Sequence, residues 1–351
     1  MKKRFIIIWS IVLLFVCLVA SAVLYVRSQF MPVASDETDE VVRVEIPYGI
    51  TVSEVGDLLE EKGLIKNSKF FYYSVRFPKI LDVFLPNQNK DNNFELKSGI
   101  YHVKKNLNVV EVQKSLSENV TEFAKLSIPE GLTITLVGKM LEENNVCSKD
   151  DFVAICKDPE VVAKYGIVGR TLEGYLFPDT YFFNFNMDPH VVVDTMVKNF
   201  FEKVKTVKNL DNVTPEELSK IINLASIVEK EYKVPDEAPL IASVFINRLE
   251  ENIGLYSCAT IIYILTEIQG KEHPNKVLLE DTKIDNPYNT YMWAGLPPGP
   301  ISNPGLIAID AAVNAPKTDY YYFQVVDQEA GRHSFTKTFH EHVENHIIPV
   351  K

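Results

Sequence analysis

The longest apolar run stands at the start of the chain. Phe5 to Val26 holds 22 residues without a charge, enough to cross the hydrocarbon core of a bilayer as a helix. After it the period changes. Val42, Val44 and Ile46 alternate with Arg43 and Glu45, which is the two-residue period of a half-buried strand. Pro47-Tyr48-Gly49 then turns the chain into a helix whose apolar face includes Val52, Val55, Leu58 and Leu59. The clearest helical period runs from Thr214 to Lys233. Thr214 can accept from orphan N–H groups, Pro215 suits the first helical position, and Glu216 and Glu217 favour the positive end of the dipole. A helix is predicted from about Pro215 to Tyr232. At about 100° per residue, Leu218, Ile221, Ile222, Leu224, Ala225 and Val228 share one arc, with Ser219, Asn223, Ser226 and Lys230 opposite.

Glu229 falls inside the apolar arc, beside Ile222 and Ala225. A carboxylate turned toward apolar neighbours loses hydration and its pKa rises. An acid still protonated near neutral pH is what general acid catalysis requires. The alternative is a buried carboxylate held by a structural arginine, for which Arg248 is the candidate. Glu231 lies at the polar edge near Lys220 and Lys230 and is expected to be solvated.

An internal echo links two parts of the chain. Ile46-Pro47-Tyr48-Gly49-Ile50-Thr51 recurs 82 positions later as Ile128-Pro129-Glu130-Gly131-Leu132-Thr133, and Leu59-Glu60-Glu61 recurs as Leu141-Glu142-Glu143. A weaker copy begins at Ser98-Gly99-Ile100-Tyr101. Small strand-turn-helix units of this kind resemble LysM modules, which bind wall glycan; the alternative is a spacer domain. Asn87 to Asn93 is a polar loop inside this region. Thr171 to Phe183 sets aromatics around Glu173, Asp179 and Thr180. Such a mixture suits sugar rings, which stack their C–H faces on aromatics while their hydroxyls take hydrogen bonds. A buried β segment is the other reading. Asn286 to Pro304 carries too many prolines for a long helix or central strand, so a rigid loop presenting Tyr288, Tyr291 and Trp293 is predicted.

Composition narrows the class. An apolar fraction of 46% and a charged fraction of 24% are ordinary for a globular protein. The net charge of −11, with no basic aromatic cluster, argues against a nucleic-acid partner. Lys2, Lys3 and Arg4 precede the apolar run, and Asp36, Glu37, Asp39 and Glu40 follow it, which predicts a cytoplasmic N-terminus and an extracytoplasmic remainder. Ala20-Ser21-Ala22 offers the alternative of a cleaved signal peptide, and Cys17 lacks the small neighbours of a lipidation site. Cys147, Cys156 and Cys258 are too few for a disulfide framework. No Walker loop, Gly-x-Ser-x-Gly or zinc-spaced Cys pair occurs. His342 and His346 have helical spacing, but with His340 and Glu341 they fit no zincin pattern, so neither metal nor cofactor is expected. His333 is read as a positioned hydrogen-bonding group or a fold residue.

Five motifs in order resemble one family. ASIVEKE at Ala225 to Glu231, LEGYLFPDTY at Leu172 to Tyr181, VFINRL at Val244 to Leu249, PYNTY at Pro287 to Tyr291 and GLPPGPISNPG at Gly295 to Gly305 resemble the YceG-like endolytic murein transglycosylases. The resemblance implies a lytic transglycosylase that ends nascent peptidoglycan strands at the outer face of the cytoplasmic membrane, working beside peptidoglycan synthases. It makes Glu229, the first Glu of VEKE, the catalytic residue. Glu173, Tyr175, Asp179, Thr180, Tyr181, Asn247, Tyr288, Asn289 and Tyr291, all in the matched motifs, become candidates to bind substrate. One departure is plain: Cys258-Ala259-Thr260 stands where the family usually has Asp-Pro-Thr. The rivals are a muramidase using Asp179 or Glu173 as second carboxylate, and an inactive wall-binding scaffold. The expected fold is α+β, with a cytoplasmic tail at 1–4, a transmembrane helix at 5–26, a linker at 27–40, a LysM-like domain at 41–126 and a catalytic domain at 127–351.

Overall fold

The computed structural model describes residues 2–34, 40–47, 49–86, 94–118, 122–211 and 213–345. Tyr48, most of the acidic stretch after the apolar run, the loop Asn87–Asn93 and His346 lie outside the described residues. The fold is mixed α+β, and the chain divides into two compact units. One takes in the residues up to Ala124 together with Phe182–Asp188; the other takes in Lys125–Tyr181 and Pro189–Lys351.

The first unit begins with helix α1, Lys2–Phe30. Its stretch Ile7–Phe30 is long and apolar enough to cross a membrane, and its apolar side chains are exposed from Ile7 to Tyr25. The helix continues past Val26 through the first residues of the expected linker. Its last residue, Phe30, is buried against Phe70 and Phe84, with ring centroids 5.7 and 5.9 Å away. Strand β1, Val41–Ile46, pairs antiparallel with β2, Gly99–Lys104, placing Val44 opposite Tyr101. Between them come α2 (Val52–Glu61), α3 (Ser68–Arg76) and α4 (Lys79–Phe84). α5, Val109–Glu118, follows. Val44 and Ile46 point inward with Val55, Leu59, Phe71 and Val103, while Arg43 and Glu45 face solvent.

The second unit opens with the other copy of the echo. A strand, β3 (Phe123–Ser127), leads to α6 (Ile134–Glu143) and α7 (Lys149–Cys156). Both copies are built alike. Gly49 and Gly131 take positive φ values of 79° and 75°, which L side chains resist. Thr51 and Thr133 then cap α2 and α6 by accepting from Glu54 N and Leu136 N. Gly56 and Gly138 sit where the next helix packs: a Cβ on either would meet Ser68 O at 3.0 Å or Phe152 Cδ1 at 3.2 Å. The repeat is therefore one of helix packing as well as of sequence.

After α8 (Pro159–Lys164), β4 (Thr180–Asn184) and α9 (Pro189–Val204), the chain enters α10, Pro215–Glu231. The capping box is complete, with Glu217 answering Thr214. Asn223 and Ser226, which the helical period sets opposite the apolar arc, are 6% and 0% exposed. Helix α10 is covered on that side too, because the 297–302 loop packs there: Asn223 Nδ2 donates to Pro297 O, and Ser226 Oγ accepts from Ile301 N. α11 (Ala238–Glu250), α12 (Cys258–Tyr263) and α13 (Leu306–Val313) follow; α11 and α13 pack on α10. The antiparallel hairpin β5 (Tyr322–Asp327) and β6 (Arg332–Thr336) and helix α14 (Phe339–Asn345) complete the unit.

Candidate functional site

Glu229 emerges from the last turn of α10, half-buried, where three irregular segments meet. These are the 130–133 turn, the 172–176 stretch and the 301–305 loop. Asn303 stitches them. Its side-chain amide donates to Leu132 O and to Glu173, its oxygen accepts from Gly174 N and Leu176 N, and its backbone exchanges bonds with Leu132 O and Gly131 N. At 1% exposure this asparagine has every polar atom satisfied within the protein. Gly174 packs tightly here, with a positive φ of 89° and no space for a Cβ, which would meet Ile222 Cγ2 at 2.7 Å.

On this frame Glu229 has few partners. The Gly305 N–H donates to Glu229 Oε2 at 2.9 Å, and the Tyr232 hydroxyl donates to the same carboxylate. Lys230 turns away to donate to Gly131 O at 3.0 Å. Burial pushes the Glu229 pKa up to about 7, and nearby Glu130 adds to the rise; the Gly305 amide, Tyr232 and Lys230 oppose it. Arg248 is no partner of Glu229. Its guanidinium donates to Tyr321 O and Leu255 O and stacks on Tyr256 and Tyr322.

Two cavities are lined by neighbours of Glu229 rather than by Glu229 itself. One, of about 270 Å³, is lined by Glu130, Phe177, Asp179, Lys203, Tyr232 and Gly305. The other, of about 240 Å³, is lined by Gly131, Thr133, Lys230, Tyr263, Glu267 and Ile301. A third, of about 550 Å³, lies beyond the end of α10, with Glu231, Arg248, Tyr256 and Tyr322 in its wall. Glu231 is thus not the solvated residue expected: its carboxylate accepts from Ser257 Oγ, and burial raises its pKa. The α11–α12 connection covers the edge that the helical period left open.

The other expected site residues divide. Asp179 lines the first cavity, paired with Lys203 at 2.8 Å, which holds its carboxyl below the usual range. Thr180 is exposed and shares a hydrogen bond with Ser127. Tyr291 meets Cys258 Sγ at 3.0 Å, and Tyr288 stacks on Tyr263 with centroids 5.1 Å apart. Glu173, Tyr175 and Asn289, at 3%, 2% and 0% exposure, are out of a ligand's reach. Both oxygens of Glu173 accept from Ile134 N at the start of α6, Tyr175 packs on Phe200, and Asn289 holds its own loop through Thr282 O and Ile284 O. Tyr181 donates to Phe177 O, and Asn247 to Thr318 O and Tyr320 O. These residues build the frame. His333 is likewise a fold residue, its ring 2.8 Å from Glu237. Among the described residues no group of three or more His, Cys, Asp or Glu could hold a metal. Sequence reasoning missed Glu130, Asn303 and Tyr232. The signal for Glu130 was in the echo, where a Glu takes the place of Tyr48.

A helix-borne carboxyl with a raised pKa, whose neighbours line two cavities in an α+β unit, defines a candidate acid–base enzyme, and the chain belongs to the YceG-like family, whose model matches residues 44–347. Among its relatives is the endolytic murein transglycosylase of Bacillus subtilis, 32% identical over 344 residues that make up 93% of this chain and 89% of that protein. The endolytic murein transglycosylase of Streptococcus pneumoniae strain D39 is 31% identical over 92% of this chain, and the match spans 60% of that longer protein. The crystal structure of a yceG-like protein from Listeria monocytogenes is similar at 31% identity and a TM-score of 0.57, covering 88% of this chain and 99% of that one.

Burial pushes the Glu173 pKa up to about 8 from 4.5. Between these values the folded protein holds a proton that the unfolded chain has released, so this group's stability contribution is complete below about pH 4.5 and is lost as pH rises toward 8. Glu173→Gln, which can still accept from Ile134 N, should flatten that decline. Urea unfolding at pH 5 and pH 8 checks it: the parent should lose more stability between the two than the variant.

Proposed function

We propose that the chain is an endolytic murein transglycosylase, cleaving peptidoglycan strands between N-acetylmuramic acid and N-acetylglucosamine and leaving 1,6-anhydro-muramic ends. The observation that carries this reading is Glu229: a half-buried carboxyl with a pKa near 7, hydrogen-bonded by Gly305 and Tyr232, which line a cavity. The Bacillus and Streptococcus relatives, both named endolytic murein transglycosylases, support it.

One carboxyl suffices for the chemistry. Glu229, protonated, gives its proton to the glycosidic oxygen as the bond to the muramic anomeric carbon breaks, and positive charge develops at that carbon. The ionised Glu229 then takes the proton of the sugar's own 6-hydroxyl, whose oxygen closes on the anomeric carbon. Attack within the same ring profits from effective concentration, so no activated water is needed. Asp179 and Lys203, lining the cavity beside Glu130, are positioned to take sugar hydroxyls or acetamido groups. Of the two carboxylates available to a muramidase, Glu173 is committed to a helix cap and Asp179 to an ion pair.

The rest of the molecule fits work at a membrane. Helix α1 is the anchor, and the basic residues ahead of its span argue for a cytoplasmic N-terminus and a catalytic unit outside. The order strand, three helices and antiparallel strand among the described residues of the first unit supports a LysM-like glycan-binding module spanning about residues 41–126, ahead of the catalytic domain. Peptidoglycan synthases, which make the strands it would cut, are the expected partners. If the orientation is right, protease added to spheroplasts digests the protein down to α1; full protection would refute it.

Glu229→Gln keeps size and hydrogen bonding but removes the transferable proton, so release of anhydro ends from uncrosslinked strands should fall by roughly 10² to 10⁴. Stability should be unchanged or slightly higher, because a neutral amide replaces a desolvated acid. Glu231→Gln should lose far less activity. Parent-like turnover by Glu229→Gln would sink the assignment.

A further inference from the structure

Glu130 has no place in the chemistry just described, yet it stands against the backbone group that holds Glu229. It is exposed, in the turn that the echo places before α6. A Cβ placed on Gly305 would meet Glu130 Cγ at 2.6 Å and Oε1 at 3.3 Å, while the N–H of the same Gly305 donates to Glu229 Oε2 at 2.9 Å. From the other side, a Cβ on Gly131 would lie 3.6 Å from Glu229 Cγ. The two carboxyl groups therefore straddle one residue's backbone, and Glu130, Gly305 and Tyr232 share the wall of one cavity. Two like charges so close cannot both form without cost.

We propose that Glu130 is a positioning residue for Glu229: an exposed carboxylate, lying across Gly305, that keeps the proton on Glu229 until a glycosidic oxygen takes it. Resting on the transglycosylase reading, this gives one residue an effect on both halves of the reaction. Repulsion from Glu130 resists ionisation of Glu229 before cleavage, and afterwards it makes the ionised Glu229 readier to recover a proton from the 6-hydroxyl. The charged and titratable groups around the pair are Lys230 and Tyr232 on or next to α10, and Asp179 and Lys203 in the same cavity wall. Lys230 and Tyr232 both favour the ionised form of Glu229, and Glu130 opposes them. Gly305 is tied to the pair by space: any side chain there would displace Glu130.

The test is a pH–rate profile of full-length Glu130→Gln and Glu130→Asp on uncrosslinked glycan strands, with a carboxyl ¹³C titration of Glu229 in the same proteins. Removing the charge should move the alkaline limb of the profile, which reports loss of the Glu229 proton, to lower pH. Each unit of movement lowers the rate above that limb about tenfold and leaves it nearly unchanged on the acid side. The Glu229 titration should move the same way, and Glu130→Asp should keep most of the parent behaviour. A rate lowered equally at every pH with an unmoved limb would assign Glu130 a merely structural role and overturn the proposal, as would an unaltered profile. If the parent itself cleaves no glycan, the functional reading falls, and the carboxyl titration alone still decides whether Glu130 governs Glu229.

Discussion

A single buried asparagine closes the site. Asn303 joins the 130–133 turn, the 172–176 stretch and its own loop through bonds to Leu132, Glu173, Gly174, Leu176 and Gly131. Each segment is too irregular to satisfy its own backbone, and each orphaned buried group would cost about 1–3 kcal/mol. Asn303 meets those needs at one point. The loop it anchors delivers Gly305 to Glu229, and the turn it anchors delivers Gly131 and Glu130. Glu173, whose motif suggested sugar contact, serves the same junction by capping α6.

Within that frame the protein sets two tendencies against each other. Burial disfavours the charge on Glu229, and the Gly305 amide with the Tyr232 hydroxyl favours it. A group that must give a proton and then take one back works best with a pKa near the ambient pH. Opposed effects of comparable size produce that value, where burial alone would overshoot and hydrogen bonds alone would leave an ordinary carboxylate. Gly305 and Glu130, on opposite sides of that balance, sit on the two short segments that Asn303 fixes, while Tyr232 follows the end of α10.

Much of this was legible along the chain because it is local. Thr214, Pro215 and Glu217 announce the start of α10, and its observed end at Glu231 is within a residue of the predicted one. The departure of Glu229 from helical period marked the carboxyl. The echo foretold two matching strand-turn-helix units; the left-handed glycine and the threonine cap they share came to light only in the fold. What stayed hidden depends on segments far apart in sequence. Nothing in the period of α10 shows that the 297–302 loop covers Asn223 and Ser226, or that Ser257 reaches Glu231. An aromatic run with interleaved polar residues looks the same whether it lines a cleft or, as with Tyr175 and Tyr181, fills a core. The uncharged run ended at Val26, but the helix it begins ends at Phe30, because that ring is buried by α3 and α4.

The claim that one carboxyl and the sugar's own hydroxyl complete the reaction is tested most directly by digesting uncrosslinked strands with the full-length protein in ¹⁸O-labelled water and weighing the new muramic ends. Anhydro ends that carry no label are the expected result. Reducing ends that carry one ¹⁸O would mean that water attacks the anomeric carbon, and the protein would then be a hydrolase that needs a second catalytic group.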